Sequence, residues 1–338
     1  MLLEDIFTFE NLYDAYRDCR KAKQHKGEVI RFETNLSLNI SKLRKSLCSK
    51  KYCLGSYRQF LIFEPKKRVI EALPFKDRVV IKCFCNHILR PRVENKLIYD
   101  NAACRKNKGS SFAIKRLRMF LQREYRSCGN NNIYFLKCDV TKYFDSINHQ
   151  VLINLLKQLN FSNDEMWFMK KVILEQPNKV DKGLPLGNQS SQWFALLYLN
   201  SVDRYIKEVL KVKSYIRYMD DMILIHHDKE YLKKCLYEIR RICHDDLHLL
   251  LNQKTQIGMV KNGIDFLGYR HILTTEGKII TKLRSSSKIR MKKHIKNLNH
   301  LKTKGLVDDI YVYERKNAFY NRIKNTDENQ ILKEKVKP

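Results

Sequence analysis

Hydrophobic residues recur at two different spacings along the chain, and each spacing predicts a different kind of element. Apolar positions three or four residues apart indicate amphipathic helices, and they predict helices over 9–23, 38–47, 110–126, 149–175, 231–249 and 278–304. Short β-prone runs predict a hairpin over 57–72, a buried strand over 133–140 and a second hairpin over 215–225. The pattern is that of a chain mixing helices with short antiparallel strands.

Two aspartates lie at the predicted tip of the second hairpin, and a third ends the buried strand. Asp220 and Asp221 are adjacent in the tip, and Asp139 follows an apolar run whose only earlier charge is Lys137. Neighbouring carboxylates repel one another, and a carboxylate at the end of a buried strand is poorly solvated unless it binds a cation. An Asp-Asp turn alone is an ordinary surface feature, but the third aspartate favours a metal site.

The three carboxylates converge if the strand lies beside the hairpin. Mg²⁺ prefers oxygen ligands and keeps coordination sites open for phosphate. Three carboxylates can hold two such ions about 3.5–4 Å apart, which is the arrangement used for in-line phosphoryl transfer.

Charge and composition narrow the class of partner. The 338 residues include 66 Lys and Arg against 36 Asp and Glu, and the net charge of +30 implies a polyanionic partner. Basic residues are spread along the chain with aromatic residues between them, which favours nucleic acid over a membrane surface. No apolar run has the about 20 residues that span a bilayer, the first residues lack a basic leader, and the ten cysteines lack paired spacing. These features predict a cytoplasmic protein with no membrane partner.

The acidic segments resemble the palm of the reverse transcriptases. The resemblance rests on Asp139-Val140 with Phe144 five residues later, and on the YMDD sequence 218–221, and it extends over residues 50–270. It implies an RNA-directed DNA polymerase with an α+β right-hand fold that has fingers, a palm with an antiparallel sheet, and a small helical thumb. Together with the residue pattern it predicts an N-terminal helical extension (1–50), fingers and palm (51–270), a thumb (271–325) and a disordered tail (326–338).

The resemblance also implies a metal centre and substrates. The implied metal ligands are Asp139, Val140, Asp220 and Asp221, which would hold two Mg²⁺ ions, with Mn²⁺ as a possible substitute. One ion would activate the primer 3′-hydroxyl, and the other would bind the triphosphate. Lys254 is the implied general acid for pyrophosphate, with an ordinary surface lysine as the alternative. The implied substrates are a template RNA, a DNA or RNA primer, and deoxynucleoside triphosphates.

Several further residues are implied to contact the nucleotide. The 57–72 hairpin resembles the fingers hairpin whose basic residues hold the triphosphate in this family. Phe144 is implied to pack under the sugar and to exclude a 2′-hydroxyl by overlap, because close-packed contacts tolerate little extra volume. Glycine in the 183–195 segment allows the backbone to approach a ligand closely. The implied nucleotide-binding residues are Lys66, Arg68, Phe144, Leu186, Gly187 and Gln192.

Another set is implied to contact the template and primer. It comprises residues of a basic loop over 99–109, a glycine in a segment that resembles the primer grip, and lysines of a thumb helix along the minor groove of the duplex. For the loop, a plain surface role stays open. The implied nucleic-acid-binding residues are Arg105, Lys108, Gly268, Lys288, Lys292 and Lys296.

The 183–195 segment resembles one group within the family. Most reverse transcriptases carry Gln before this glycine and end the segment in Ser-Pro, whereas here Leu186 precedes Gly187 and the segment ends Ser191-Gln192. This form resembles the reverse transcriptases of diversity-generating retroelements. The resemblance implies mutagenic retrohoming by error-prone copying of a template-repeat RNA at adenines, with a small basic accessory protein as partner.

Two alternatives stay open at this stage. Within the enzyme class, the chain could be an antiphage-defence reverse transcriptase that uses its own non-coding RNA. Outside that class, it could be a catalytically dead module that only binds RNA, and the intact Asp139, Asp220 and Asp221 argue against this alternative.

Overall fold

The computed structural model describes residues 1–63, 66–176, 180–324, 326–328 and 330–337. Its helices are α1 (Leu3–Ile6), α2 (Phe9–Arg20), α3 (Gly27–Glu33), α4 (Leu36–Cys48), α5 (Phe75–Phe84), α6 (Arg90–Glu94), α7 (Ser110–Cys128), α8 (Tyr143–Ser146), α9 (His149–Lys157), α10 (Asn163–Leu174), α11 (Gln189–Tyr198), α12 (Asn200–Arg204), α13 (Lys229–Arg241), α14 (Ser285–Thr303), α15 (Asp309–Ile323) and α16 (Gln330–Lys335). Its strands are β1 (Arg58–Ile62), β2 (Arg68–Ala72), β3 (Tyr134–Cys138), β4 (Tyr215–Tyr218), β5 (Asp221–His226), β6 (Gln256–Met259), β7 (Ile264–Phe266), β8 (Tyr269–Leu273) and β9 (Ile279–Leu283). The α+β class is confirmed.

Four antiparallel strands form the palm sheet, in the order β4–β5–β3–β6. Cys138 of β3 lies opposite Met222 of β5, so the predicted strand and hairpin are neighbours. Leu136 and Cys138 point into the larger hydrophobic core, whereas Phe135 points into a second core that α7 covers. Because both faces are covered, β3 and β5 are apolar along most of their length.

The N-terminal helices share one hydrophobic core with the fingers and palm. Leu12 of α2 and Leu47 of α4 are fully buried in the cluster that also contains Phe84 and Leu156. Helix α2 begins at Thr8, whose hydroxyl accepts a hydrogen bond from the main chain of Asn11. The helices predicted over 9–23 and 38–47 are confirmed, and they pack into the body of the protein.

A capping box interrupts the helix predicted over 149–175, so that prediction is wrong in one respect. Helix α9 ends at Lys157, and Asn160 adopts a left-handed φ of 53°. The Ser162 hydroxyl accepts from the Glu165 main chain (3.3 Å), while the Glu165 carboxylate accepts from the Ser162 main chain (2.7 Å). Ser-x-x-Glu is a sequence signature of a helix start. The apolar residues on both sides of it have helical spacing, so the two helices were predicted as one.

The region after residue 263 begins with a second sheet, in the order β7–β8–β9. Residues 279–283 form strand β9 instead of the predicted helix, and α14 begins only at Ser285. Ile279, Thr281 and Leu283 of β9 are buried and alternate with less buried residues, which is the period of a strand. The predicted helix is confirmed for 285–303, and its assignment to a thumb domain stays a prediction.

A short helix, α16, lies in the segment that was predicted to be a disordered tail. Leu332 and Val336 are buried in a small core with Met291 and Ile323. The Asp327 carboxylate accepts a hydrogen bond from the Thr281 main chain (2.7 Å), which attaches this segment to β9. The domain boundary predicted at residue 325 lies outside the described residues. No described helix has the length and hydropathy needed to cross a bilayer.

A histidine buried between β8 and β9 should make the protein sensitive to mild acid. Burial lowers the pKa of His271 to about 4, and one of its ring nitrogens lies 3.1 Å from the Thr281 hydroxyl. Because the folded pKa is below the unfolded value of 6.5, the unfolded chain binds more protons between these values. The stability that this neutral histidine provides is present above pH 6.5 and is lost as the pH falls toward 4.

His271→Asn is expected to flatten this dependence. Relative to the variant, the wild type should lose up to about 2 kcal/mol of unfolding free energy between pH 6.5 and pH 5, because one unit of pKa shift corresponds to about 1.4 kcal/mol. Urea unfolding of both proteins at pH 7.5, 6.0 and 5.0 measures the difference. Parallel pH profiles would show that His271 is not the responsible group.

Candidate active site

The sheet places the three aspartates at one edge. Asp139 directly follows β3, Asp221 begins β5, and Met219-Asp220 form the turn between β4 and β5. Met219 has a φ of 55°, a left-handed conformation that tightens the turn. The carboxylates of Asp139 and Asp220 lie within hydrogen-bonding reach of each other. The predicted convergence of the strand end and the hairpin tip is therefore present.

Burial and neighbouring negative charge shift the pKa values of Asp220 and Asp221. Burial, and secondarily the nearby Asp139 carboxylate, raise the pKa of Asp220, while the positive charge of Arg68 opposes the rise. Burial raises the pKa of Asp221 to about 6, with Asp139 and Asp220 adding to the shift and the Lys137 ammonium opposing it. Negative charge at this edge is thus incompletely compensated by the protein, which is the electrostatic condition for binding a cation.

The donor set fits a hard divalent ion. Oδ1 of Asp221 is buried and has no hydrogen-bond partner among the described residues, and an orphaned carboxylate oxygen is costly unless a cation binds it. Its Oδ2 accepts from Lys137 Nζ at 3.1 Å. Within the described ranges, no three His, Cys, Asp or Glu side chains are already arranged as metal ligands. The chemistry of the site suits a metal, and its carboxylates are close but not preset at ligand spacing.

A fully buried ion pair supports the catalytic turn from behind. Arg217 and Asp203 are both 0% exposed, and the guanidinium donates to the Asp203 carboxylate at 2.6–2.9 Å. Its Nη1 donates to the Met219 carbonyl, and its Nη2, which also donates to Asp203, donates to the Leu196 carbonyl, both at 2.9 Å. Arg217 therefore connects the peptide before Asp220 to α11. Sequence reasoning missed this residue, although an arginine within a buried apolar strand is itself an unusual signal.

The backbone of the 183–195 segment packs directly against the fingers hairpin. The Leu186 carbonyl accepts from the Glu71 main chain at 2.9 Å. Gly187 has a φ of 140°, and a Cβ atom there would lie 2.7 Å from the Glu71 carbonyl oxygen. Glycine is therefore required by a close approach to β2, and the prediction that a ligand makes this approach is wrong for the Cβ side of the residue. The Asn188 amide donates to the Tyr57 hydroxyl at 2.8 Å, which strengthens this junction.

The other residues predicted to contact the nucleotide have the following surroundings. Phe144 is half-buried, packs edge-to-face on Tyr143 (ring centroids 5.7 Å apart), and its carbonyl accepts from Leu184. Gln192 is exposed on the first turn of α11, where its side-chain oxygen lies 3.4 Å from Cys104 Sγ. Arg68 is near enough to Asp220 to influence its charge. Their contacts with a nucleotide stay predictions.

The basic loop before α7 is tied to the protein itself. The Arg105 side chain is only 12% exposed, and it donates to the carbonyls of Ile98 and Asn101 and pairs with Glu94. Lys108 lies over the Tyr99 ring, and burial together with the nearby Arg105 lowers its pKa to about 8. Both residues therefore have intramolecular roles, and their predicted nucleic-acid contacts are untested.

The segment that carries Lys254 is attached to the catalytic strand. Val140 is buried and forms an isolated bridge with Leu251, and the Asp139 carbonyl accepts from the Asn252 main chain at 2.7 Å. Lys254 is exposed in the turn that follows. It thus lies in a turn two residues after the main-chain contact with Asp139, and its role as a general acid stays a prediction.

A cleft of about 780 Å³ separates the β7–β8 turn from the thumb helices. The turn is a two-residue hairpin in which Leu267 and Gly268 both have positive φ, as a tight primed turn requires. Basic and aromatic residues dominate the far wall of the cleft. Its lining includes Lys66, Gly268, Arg284, Arg290, His294, Tyr311, Arg315, Phe319 and Arg322.

The lysines predicted from the thumb helix lie elsewhere on its surface. Lys288 pairs with the buried Glu328 carboxylate at 2.8 Å, and Lys292 and Lys296 are exposed outside the cleft lining. Ser287, Met291, His294 and Leu298 line the cleft at a spacing of three to four residues. That spacing is visible in the sequence and would have identified the cleft-facing side of α14.

Comparison with known proteins agrees with this geometry. The family described as reverse transcriptase (RNA-dependent DNA polymerase) matches residues 64–271, more than half of the chain. No curated protein matches the sequence.

Solved structures give the same fold at low sequence identity. Telomerase from Candida albicans, solved with a TWJ fragment of telomeric RNA, has a TM-score of 0.51 at 13% identity, over 89% of this chain and 67% of that chain. Apo telomerase from Candida tropicalis has a TM-score of 0.54 at 14% identity, over 72% of this chain and 51% of that chain. The chain thus spans about half the length of the second telomerase. By fold and family match, this chain belongs to the reverse transcriptases, the RNA-directed DNA polymerases among the nucleotidyltransferases.

Proposed function

We propose that this reverse transcriptase copies the template RNA of a diversity-generating retroelement with low fidelity, as a step of mutagenic retrohoming. The observation that carries the proposal is Leu186 before Gly187, where most of the family carry glutamine. An amide there can hydrogen-bond near the nascent base pair, and an aliphatic side chain cannot. Discrimination between base pairs amounts to a few kcal/mol, so the loss of a hydrogen bond worth about 1 kcal/mol weakens it.

The rigid backbone at this position supports the argument. The Leu186 carbonyl is bound to Glu71, and Gly187 is in close contact with the same residue. A fixed backbone keeps the side chain of residue 186 in one place. Exchanging that side chain therefore changes its chemistry with little change in geometry.

Leu186→Gln is expected to lower misincorporation opposite template adenine about fivefold, the equivalent of about 1 kcal/mol. The test is single-nucleotide insertion kinetics with correct and incorrect nucleotides on a defined RNA template. Leu174→Gln, at an exposed position on α10, is the matched control and should leave the error spectrum unchanged. An identical spectrum for wild type and Leu186→Gln would contradict the proposal.

The proposal includes a two-ion centre of Mg²⁺, with Mn²⁺ as a substitute. Asp139, Asp220, Asp221 and the main chain of Val140 would hold the ions, supported by the orphaned Asp221 Oδ1. When bound, such ions activate the primer hydroxyl and neutralise charge on the phosphates. The chain's own residues complete the reaction: Arg68 orients the triphosphate beside Asp220, and Lys254 donates a proton to the departing pyrophosphate.

The template–primer duplex would follow the cleft between the β7–β8 turn and the thumb. Four arginines, a histidine and a lysine line it, which suits contacts with two phosphate backbones. Tyr311 and Phe319 add flat apolar surfaces for sugars. The orientation of the cleft toward Lys66 of the fingers is consistent with this path.

Arg290→Ala/Arg315→Ala is expected to weaken duplex binding more than Lys292→Ala/Lys296→Ala. Both pairs remove two positive charges, but only the arginines line the cleft. The slope of log K against log salt should fall by about 2 for the arginine pair and by less for the lysine pair. Fluorescence anisotropy of an RNA–DNA duplex at several salt concentrations measures the affinity and the salt slope of each double variant. A larger effect of the lysine pair would contradict the path of the duplex through the cleft.

Sequencing of cDNA made from co-purified RNA identifies the biological template. Template-repeat sequence with substitutions at adenines supports the retroelement, whereas a dedicated non-coding RNA supports the antiphage alternative. A small basic accessory protein is the expected additional partner. All ten cysteines are free thiols, in keeping with the proposed cytoplasmic location.

A further inference from the structure

One lysine joins the catalytic carboxylates to the neighbouring sheet. Lys137 lies on β3, two residues before Asp139, and its side chain is 19% exposed. Its ammonium donates to Asp221 Oδ2 at 3.1 Å and to the main-chain carbonyl of Asp265 in β7 at 2.7 Å. The palm sheet and the β7–β9 sheet are separate sheets without a shared strand pairing. The lysine thus supplies a polar bridge between them.

This bridge lies between one wall of the cleft and the catalytic carboxylates. Strand β7 leads directly into the Leu267-Gly268 turn, which forms one wall of the thumb cleft. The other end of the bridge holds one oxygen of Asp221 and leaves Oδ1 without a partner. The ammonium therefore links the strand that leads into the wall of the cleft to the carboxylate edge, in addition to the hydrophobic core that the two sheets share.

The same ammonium is also a cation at the edge where negative charge accumulates. It opposes the mutual repulsion of three carboxylates and occupies an oxygen that a divalent ion could otherwise bind. The ammonium therefore has opposite effects on duplex binding in the cleft and on ion binding at the carboxylates. It strengthens the attachment of the hairpin, and it competes for the carboxylate.

We propose that Lys137 is a positioning residue that fixes the β7–β8 hairpin, and with it the primer strand, relative to Asp221, while its charge restrains divalent-ion binding at the carboxylates. This inference rests on the proposed metal site. Loss of the side chain should loosen duplex binding and tighten ion binding at the same time. A merely misfolded site would weaken both.

Lys137→Met removes the charge and both hydrogen bonds of the ammonium while keeping a side chain of similar length. We expect the Kd for an RNA–DNA duplex, measured without divalent ions, to rise at least about threefold, because the hairpin loses its attachment. We expect the apparent Kd for Mn²⁺, measured from the EPR signal of free ion without nucleic acid, to fall at least about threefold, because a competing positive charge is gone. The kcat for primer extension should fall as well.

If Lys137→Met folds poorly, two further substitutions distinguish the effect of the hydrogen-bonded bridge from the effect of the charge. Lys137→Gln keeps a donor but is neutral, so Mn²⁺ should bind more tightly while duplex affinity is partly retained. Lys137→Arg keeps both charge and donors and should stay close to wild type in both measurements. Lys282→Met, at an exposed position on β9, is the matched control for the loss of a lysine.

The outcomes distinguish this inference from the metal site on which it rests. If Asp221→Asn and Asp220→Asn leave wild-type Mn²⁺ binding intact, the ion binds elsewhere, and both the metal site and the inference are overturned. If those substitutions abolish Mn²⁺ binding but Lys137→Met and Lys137→Gln bind it no more tightly than wild type, the metal site stands and the role of Lys137 is overturned. Unchanged duplex affinity in Lys137→Met would likewise overturn the positioning role.

Discussion

Asp220→Asn is expected to lower kcat about 1,000-fold and to raise the melting temperature of the metal-free protein. The loss of rate corresponds to about 4 kcal/mol, the scale of the charge stabilisation that bound metal provides at a phosphoryl group. The gain in stability has a separate cause. The raised pKa of Asp220 means that its ionised form is unfavourable in the folded state, since burial and Asp139 both oppose the charge. An asparagine removes that charge and keeps the shape.

The sign of the stability change follows from linkage. A carboxyl group whose folded pKa lies above its unfolded value destabilises the fold once the pH exceeds both values. Differential scanning fluorimetry in EDTA at pH 7.5 should therefore show a higher melting temperature for the variant. As the pH is lowered and the wild-type carboxylate takes up a proton, the difference should shrink.

The control is Asp246→Asn, which changes an exposed carboxylate beyond α13. It should match wild type in single-turnover extension on an RNA template and in melting temperature. Extension by Asp220→Asn at the wild-type rate would remove the basis for placing catalysis at this edge. A lower melting temperature would mean that a cation from the protein already neutralises Asp220.

The convergence of the three aspartates could be predicted because each of them lies at a recognisable place in a local sequence pattern. Asp139 ends an apolar run, and Asp220 and Asp221 lie in a turn between two such runs, so each position follows from strand periodicity. A single further assumption, that the strand and the hairpin are neighbours, brings them together. The pairing of Cys138 with Met222 confirms that assumption.

The partners of the charged side chains could not be predicted in this way. Arg105 and Lys288 are implied to contact nucleic acid because they lie in segments that resemble a basic loop and a thumb helix of the family. The structure pairs Arg105 with Glu94, and Lys288 with Glu328, which is forty residues away in the sequence. Spacing shows which side of a helix a residue occupies, but the partner on that side depends on tertiary packing.

Gly187 illustrates the same limit for a backbone requirement. The sequence shows that a glycine is present before a helix, and close approach is a sound expectation. It cannot show whether a ligand or another strand makes the approach. Here the carbonyl of Glu71 occupies the space that a Cβ atom would need.

Arg217→Met is expected to be the most destabilising single substitution near the active site. It leaves the Asp203 carboxylate buried without its ion-pair partner, and breaking such a pair typically costs about 3–5 kcal/mol. Urea unfolding measures this loss. Asp203→Asn alone should also destabilise, because it leaves the guanidinium buried with a weaker acceptor.

The double variant Arg217→Met/Asp203→Asn separates stability from catalysis. With both charges gone, most of the lost stability should return, since a buried ion pair often contributes little compared with a neutral pair of similar size. The asparagine oxygen can still accept from the Tyr215 hydroxyl, which donates to Asp203 at 2.6 Å in the wild type. The kcat, however, should stay at least about tenfold low.

The reason is that the guanidinium also donates to two main-chain carbonyls outside the ion pair. Arg217 donates to Met219, the residue before Asp220, and to Leu196 of α11, so it fixes the catalytic turn relative to the helix that begins at the predicted nucleotide site. A misplacement of about 1 Å can cost about a hundredfold in rate. The methionine of the double variant has no donor to replace the hydrogen bonds to Met219 and Leu196. If the double variant recovers stability and kcat together, Arg217 serves folding alone. Recovery of stability without kcat would establish that the buried arginine positions Asp220.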